Sequence, residues 1–124
     1  MEFSESLKKN RDFQLVYRRG TSKANKYLVM YVMPNQLEKN RIGISVSKKV
    51  GNSVVRHHIT RLIREGYRLN EDVFQRGIDV VVIARTTAKD CTQQQITSAL
   101  LHLGRIQSIT KTKNVDKECK EDNK

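Results

Sequence analysis

Between residues 41 and 85 the spacing of apolar residues changes twice, and that change restricts the fold more than any other feature of the chain. In RIGISVSKK, Ile42, Ile44 and Val46 alternate with Gly43, Ser45 and Ser47, the period-two pattern of a strand with one buried face. After Gly51-Asn52 the period lengthens. Val55, Ile59, Leu62 and Ile63 fall in one sector at about 100° per residue, which predicts a helix over residues 53–69. DVVVIAR (79–85) is apolar without alternation, as expected of a strand covered on both faces. Strand, long helix and buried strand make a crossover unit.

The flanks add elements on either side. Asn10 is expected to cap a short helix through RDFQLVYRR, with Phe13, Val16 and Tyr17 on one face and Gly20 as its stop. TSKAN is read as a connector, YLVMYVM (27–33) as a strand ended by Pro34-Asn35, and QLEKN as a loop. Ile96, Ala99, Leu100, Leu103 and Ile106 have helical spacing and predict a last helix packed on the sheet. The expected architecture is α+β, a two-layer α/β sandwich of helices on a small mixed sheet. With 124 residues, one domain over residues 1–108 is expected, followed by a charged tail, 109–124, that lacks periodicity and is expected to be disordered.

Charge narrows the partners. Residues 1–68 hold 15 Lys or Arg against 5 Asp or Glu, and residues 69–124 hold 9 against 8, so nearly all of the net +11 belongs to the first half. Such a field favours polyanions, because each neutralised phosphate releases counterions. Within the predicted long helix, His57, Arg61, Arg64 and Arg68 cluster nearly opposite the apolar sector, with Glu65 as the only acid. A solvated face would ordinarily carry compensating i,i+4 acids; arginines without them suit bidentate phosphate contacts. Lys48 and Lys49 precede the helix N-terminus, where free N–H groups attract anions. The small face of Gly43, Ser45 and Ser47 admits either a close nucleic-acid backbone or a tightly packed helix. Phe13, Tyr17 and Tyr31 suit base stacking or core packing; spacing alone favours core for Phe13.

Other classes find less support. No apolar run is long enough for a signal peptide or a membrane span, so a cytoplasmic protein without membrane partners is expected. Cys91 and Cys119 are too far apart in sequence, and too few, for a disulfide framework or zinc site, and are read as free thiols. His57 and His58 diverge by about 100° on a helix, unlike an i,i+4 metal pair. GISVSKK lacks the glycine spacing of a phosphate-binding loop, and His102 lies near an apolar stripe and is read as structural. No catalytic set of side chains can be assembled. A DNA-binding helix-turn-helix is disfavoured, since the long helix follows a strand, and no DNA partner is expected.

Three blocks, LKKNRDFQLVYRRGTSKAN (7–25), RIGISVSKKVGNSVVRHHITRLIRE (41–65) and DVVVIAR (79–85), resemble the protein subunit of bacterial ribonuclease P, in order over about residues 7–107. The resemblance implies a ribosomal-protein-like fold with a central RNA-binding helix and a left-handed crossover, against the usual right-handed preference. It implies an accessory, RNA-binding role. The catalytic ribonuclease P RNA, with Mg²⁺ bound mainly by RNA, removes the 5′ leader of precursor tRNA, and the protein holds that leader. On this analogy Phe13, Tyr17, Tyr31 and Lys49 line the leader cleft, while Lys48, Asn52, Arg56, His57, His58, Arg61, Arg64 and Arg68 face the catalytic RNA. The family's helix signature, Arg-Asn-Arg-x-Lys-Arg, is here Arg56-His57-His58-Ile59-Thr60-Arg61. Two permanent cations and an amide are thus replaced, two of the three positions now holding histidine, and RNA contact is expected to depend on pH. The alternative is a general or ribosomal RNA-binding protein without a processing role.

Overall fold

The computed structural model describes residues 2–110. Its elements run β1 (Ser4–Ser6), α1 (Asn10–Arg19), β2 (Thr21–Ala24), β3 (Leu28–Pro34), β4 (Asn40–Ser45), α2 (Ser53–Leu69), β5 (Ile78–Ala84) and α3 (Gln93–Ile106), with short 3₁₀ turns at Glu71–Val73 and Thr86–Ala88. The five strands form one mixed sheet in the order β1-β4-β5-β3-β2. β4 pairs in parallel with β1 and β5, whereas β3 is antiparallel to β5 and β2. The expected crossover is therefore β4-α2-β5, joining neighbouring parallel strands.

Helices lie on both faces of this sheet. On one, Leu28, Met30, Val32, Ile42, Val80 and Val82 pack beneath Ile59, Ile63 and Tyr67 of α2 and Ile96, Leu100 and Leu103 of α3. On the other, Val81 meets Val16 of α1, with Phe13, Tyr17, Tyr31 and Ile83 packed around them. β5 is central and covered on both sides, which is why its sequence does not alternate.

Several boundaries differ from the sequence reading. TSKAN is not merely a connector: residues 21–24 form an edge strand with all four residues exposed, recruited by the open backbone of β3 and so without a hydrophobic pattern. The cap position of α1 is Lys9, without a side-chain bond, and Asn10 is the first helical residue. Gly20 does end α1; a Cβ there would lie 2.6 Å from the Val16 carbonyl oxygen, so the constraint is close approach. The N-terminal strand is held by a polar cluster. Buried Glu71 accepts the N–H groups of Glu2 at 2.7 Å and Phe3 at 3.1 Å. The Tyr67 hydroxyl bonds Ser4 Oγ at 2.7 Å and accepts from Asn40 Nδ2 at 3.1 Å, while burial pushes the phenol pKa up.

The domain reaches past residue 108. Ile109 is buried, its carbonyl accepts the Gln75 N–H at 2.8 Å, and Thr110 bridges to Phe74. The rest of the expected tail, 111–124 with Cys119, lies outside the described residues. Cys91 is a buried free thiol whose pKa burial raises, a setting that leaves it chemically quiet. Among the described residues no helix is long and apolar enough to cross a membrane.

Candidate nucleic-acid interface

α1 crosses the sheet obliquely and roofs only part of one face. Its Phe13 ring sits over Gly43 of β4, Val16 lies over Val81 of β5, and Tyr17 reaches Tyr31 of β3. Gly43 and Val81, beneath the helix, are buried. Two residues further along each parallel strand, Ser45 and Ile83 are paired neighbours and half-buried, as is Val29, which pairs with Ile83 from β3. Ser45, Ile83 and Val29 thus form a half-buried strip beside α1, the floor of a candidate groove. One wall is aromatic, with Phe13 and Tyr17 ring centroids 6.3 Å apart and Tyr17 edge-on to Tyr31 at 5.1 Å. Stacked bases need such half-exposed rings, which present a face while their edges are anchored.

The two readings of the small β4 face divide between adjacent positions. Gly43 serves helix packing, since the Phe13 ring occupies the space a side chain would take. Ser45 stays open to the groove. Val29 follows from the alternation that places Tyr31 on this face; Ile83, inside an unbroken apolar run, carries no comparable signal.

An ion-pair cluster pins the first turn of α1 to the strands. Asp79, fully buried on β5, accepts Arg41 Nε at 2.9 Å, Arg41 Nη2 at 2.7 Å and Asn35 Nδ2 at 2.9 Å. Arg41 Nη1 also lies 3.7 Å from Asp12 of α1. The bidentate bond to Asp79 outweighs the cost of burial and raises the guanidinium pKa.

Lys48 and Lys49 are exposed in the turn that leaves the groove end of β4, anchored by buried Val50. Asn52 caps α2, its Oδ1 accepting the Val55 N–H at 3.0 Å, so this side-chain oxygen is committed to the helix. Along α2 the exposed side carries His57, His58, Arg61, Arg64 and Arg68. The buried side is centred differently from the expected sector, on Ile59, Ile63, Gly66 and Tyr67, with Val55 and Leu62 on its flank. Extending the i,i+4 series from Ile59 and Ile63 would have found Tyr67.

That rotation separates the cations. Arg56 turns to the core flank, lining a recess of about 310 Å³ with Ile44, Val46, Ser53, His57 and Thr60. Its Nε is buried and has no hydrogen-bond partner among the described residues, a donor left available to an acceptor entering that recess. His57 and His58 share a second shallow depression with Ser53, Val54 and Arg61. Arg68 is compensated, donating to both oxygens of Glu65 at 3.0 and 2.8 Å, which raises the Arg68 pKa and lowers that of Glu65. Among the described residues no carboxylate pairs with His57, Arg61 or Arg64, the centre of the helix face. The aromatic groove lies on the α1 side of the sheet, and the α2 face lies on the other.

A family model described as Ribonuclease P matches residues 1–107. A ribonuclease P protein component from Lachnoclostridium phytofermentans is 54% identical over 114 residues, covering 92% of this chain and 98% of the relative. Another, from Alkaliphilus metalliredigens, is 54% identical over 103 residues, 83% of this chain and 93% of the relative. A Staphylococcus aureus RNase P protein structure superposes with a TM-score of 0.79 at 42% identity, covering 86% of this chain and 97% of the other. The Thermotoga maritima RNase P protein gives 0.75 at 32% identity, covering 81% and 96%.

Proposed function

The chain belongs to the ribonuclease P protein family, whose members form part of the holoenzyme that matures tRNA 5′ ends, and from that membership we propose that its half-roofed groove holds the 5′ leader of precursor tRNA. Leader bases stack on Tyr17 and Tyr31, and Lys49 neutralises a phosphate at the groove end. The α2 face, through His57, Arg61 and Arg64 with Arg56 at its flank, docks on the catalytic RNA. The partnership with the ribonuclease P RNA follows from the family; the division of the two RNA contacts between opposite sides of the sheet is our reading. The observation that carries it is the partial roof: α1 leaves Ser45, Ile83 and Val29 accessible beside an aromatic row.

Magnesium belongs with the RNA in this reading. The two buried carboxylates are already occupied, Asp79 by Arg41 and Asn35, Glu71 by backbone amides. Among the described residues no group of three or more His, Cys, Asp or Glu is placed to hold a metal. In this reading the side chains bind and orient RNA. The work is assigned to the cytoplasm.

The test is cleavage of 5′-labelled precursor tRNA by a cognate ribonuclease P RNA at low magnesium, with and without the protein. Restored cleavage at the mature 5′ end is expected. Tyr17→Ala should then lower the preference for precursor over mature tRNA by roughly fivefold or more, the loss of one stacked base. Equal affinity of the wild-type complex for precursor and mature tRNA would favour a general RNA-binding role.

A further inference from the structure

The residues that join β2 to β3 and the exposed flank of α3 enclose a concavity of about 430 Å³, on the sheet face opposite the leader groove. Lys26, Tyr27, Gln94, Gln95, Ser98 and His102 line it, and among the described residues no carboxylate does. Its hydrogen-bonding groups have determined orientations. Asn25 Oδ1 accepts the N–H groups of Tyr27 at 3.2 Å and Leu28 at 3.0 Å, so Nδ2 is the donor, to the Ala99 carbonyl at 3.0 Å and to His102 Nδ1 at 3.1 Å. With Nδ1 accepting, the neutral His102 ring carries its proton on Nε2. Gln95 is drawn into the α3 cap, where its Oε1 accepts the Thr92 N–H at 2.9 Å. Among the described residues no interaction engages the side chains of Gln94 and Ser98. Lys26 Nζ stands over the face of the Tyr27 ring, 5.4 Å from its centre. Exposed Arg85, donating to the Asn25 carbonyl at 2.7 Å, adds a second cation at the rim.

An aromatic ring with one cation over it and another at the rim, an unengaged amide and hydroxyl, and an imidazole whose Nε2–H is left to donate are what an unstacked nucleotide requires: a surface for the base, partners for its edge and charge for its phosphate. We infer that this concavity receives one unpaired nucleotide of the ribonuclease P RNA. The base lies against Tyr27 with its edge toward Gln94, Ser98 and His102, and its phosphate meets Lys26 and Arg85. The choice of RNA rests on the family reading, and the site is distinct from both the leader groove and the α2 face. The protein would then hold its RNA partner at two separated points.

Two kinds of substitution separate the parts of this site in the full-length protein. Ser98→Tyr fills the concavity at an exposed position without changing charge, and should weaken binding of the cognate ribonuclease P RNA about five- to tenfold with an unchanged salt slope. Lys26→Gln should reduce the slope of log affinity against log salt by about one. Gln94→Ala, also exposed, reads the base edge without adding bulk and should weaken binding in the same direction. All three should keep the wild-type preference for precursor over mature tRNA. RNA affinity within twofold of wild type for both Ser98→Tyr and Gln94→Ala would overturn the site, and loss of precursor preference would reassign it to the leader. An unchanged slope for Lys26→Gln would overturn the phosphate contact. Failure of the family reading shows separately, as wild-type protein that does not restore low-magnesium cleavage.

Discussion

Alanine at Gly43 tests the contact on which the proposed leader groove depends. A Cβ there would lie 2.6 Å from Phe13 Cζ and 2.7 Å from Cε1, with Leu7 Cβ at 3.3 Å, so Phe13 must withdraw by about 0.8 Å to reach ordinary contact at 3.4 Å. Beside it Val16 and Val81 are fully buried, which leaves the ring little room to move sideways; the first turns of α1 must lift. Overpacking of this kind costs about 1–3 kcal/mol, and each kcal/mol lowers the melting temperature by roughly 4–8 °C in a domain of this size. Urea unfolding at neutral pH should show that loss with little change in m. Phe13 and Tyr17 share the displaced helix, so the preference for precursor tRNA should fall too, whereas binding to the catalytic RNA through α2, across the sheet, should not. Phe13→Ala removes the clashing ring. Gly43→Ala should then cost less in the Phe13→Ala background than in wild type, by about 1 kcal/mol or more. Additive effects, or a Gly43→Ala protein as stable as wild type, would refute the packing argument.

Three further outcomes follow from the polar groups. Burial alone would raise the Glu71 pKa, but hydrogen bonds from Ser4 and from the Glu2 and Phe3 amides hold it below 4.5. Its contribution is thus present above that value and lost as pH falls through the folded-state pKa. Wild type and Glu71→Gln should differ in urea midpoint at pH 7 and converge toward pH 3; a constant difference would be inconsistent with this linkage. Arg41→Met strands the buried Asp79 carboxylate and should cost about 3 kcal/mol, at the lower end for a broken buried pair because the Arg41 side chain is 25% exposed. Adding Asp79→Asn should restore part of it, measured by denaturant unfolding. Finally, RNA affinity at fixed salt should rise as pH falls from 8 to 5.5 and flatten when His57 and His58 are both glutamine; a flat wild-type profile would exclude histidine protonation from the contact.

The elements whose apolar spacing is sustained were legible, and α2 occupies the expected residues 53–69. What escaped had no one-dimensional signature. β2 is exposed at every position and exists because β3 offers it a backbone edge. β1, three residues long, is held by Glu71, Tyr67 and the Asn40 amide, groups more than thirty residues away in sequence. The direction in which α2 is turned depended on Gly66 and Tyr67, which pack against α3 and Phe74 respectively. Placing them in the core leaves Arg56 lining a recess beside β4, at the flank of the cationic face.

The same distinction explains the interface. The cationic side of α2 could be read from sequence because one helix supplies nearly all of it, with the side-chain period carrying the information. The groove takes Phe13 and Tyr17 from α1, Val29 and Tyr31 from β3, Ser45 from β4 and Ile83 from β5, and only the strand order brings them together. Its depth is set by how far α1 extends across the sheet, which in turn depends on Gly43 admitting Phe13 and on Asp79 holding Arg41 beside Asp12. A packing contact and a buried ion pair, neither of which need touch RNA, therefore determine whether the proposed leader-binding surface exists at all.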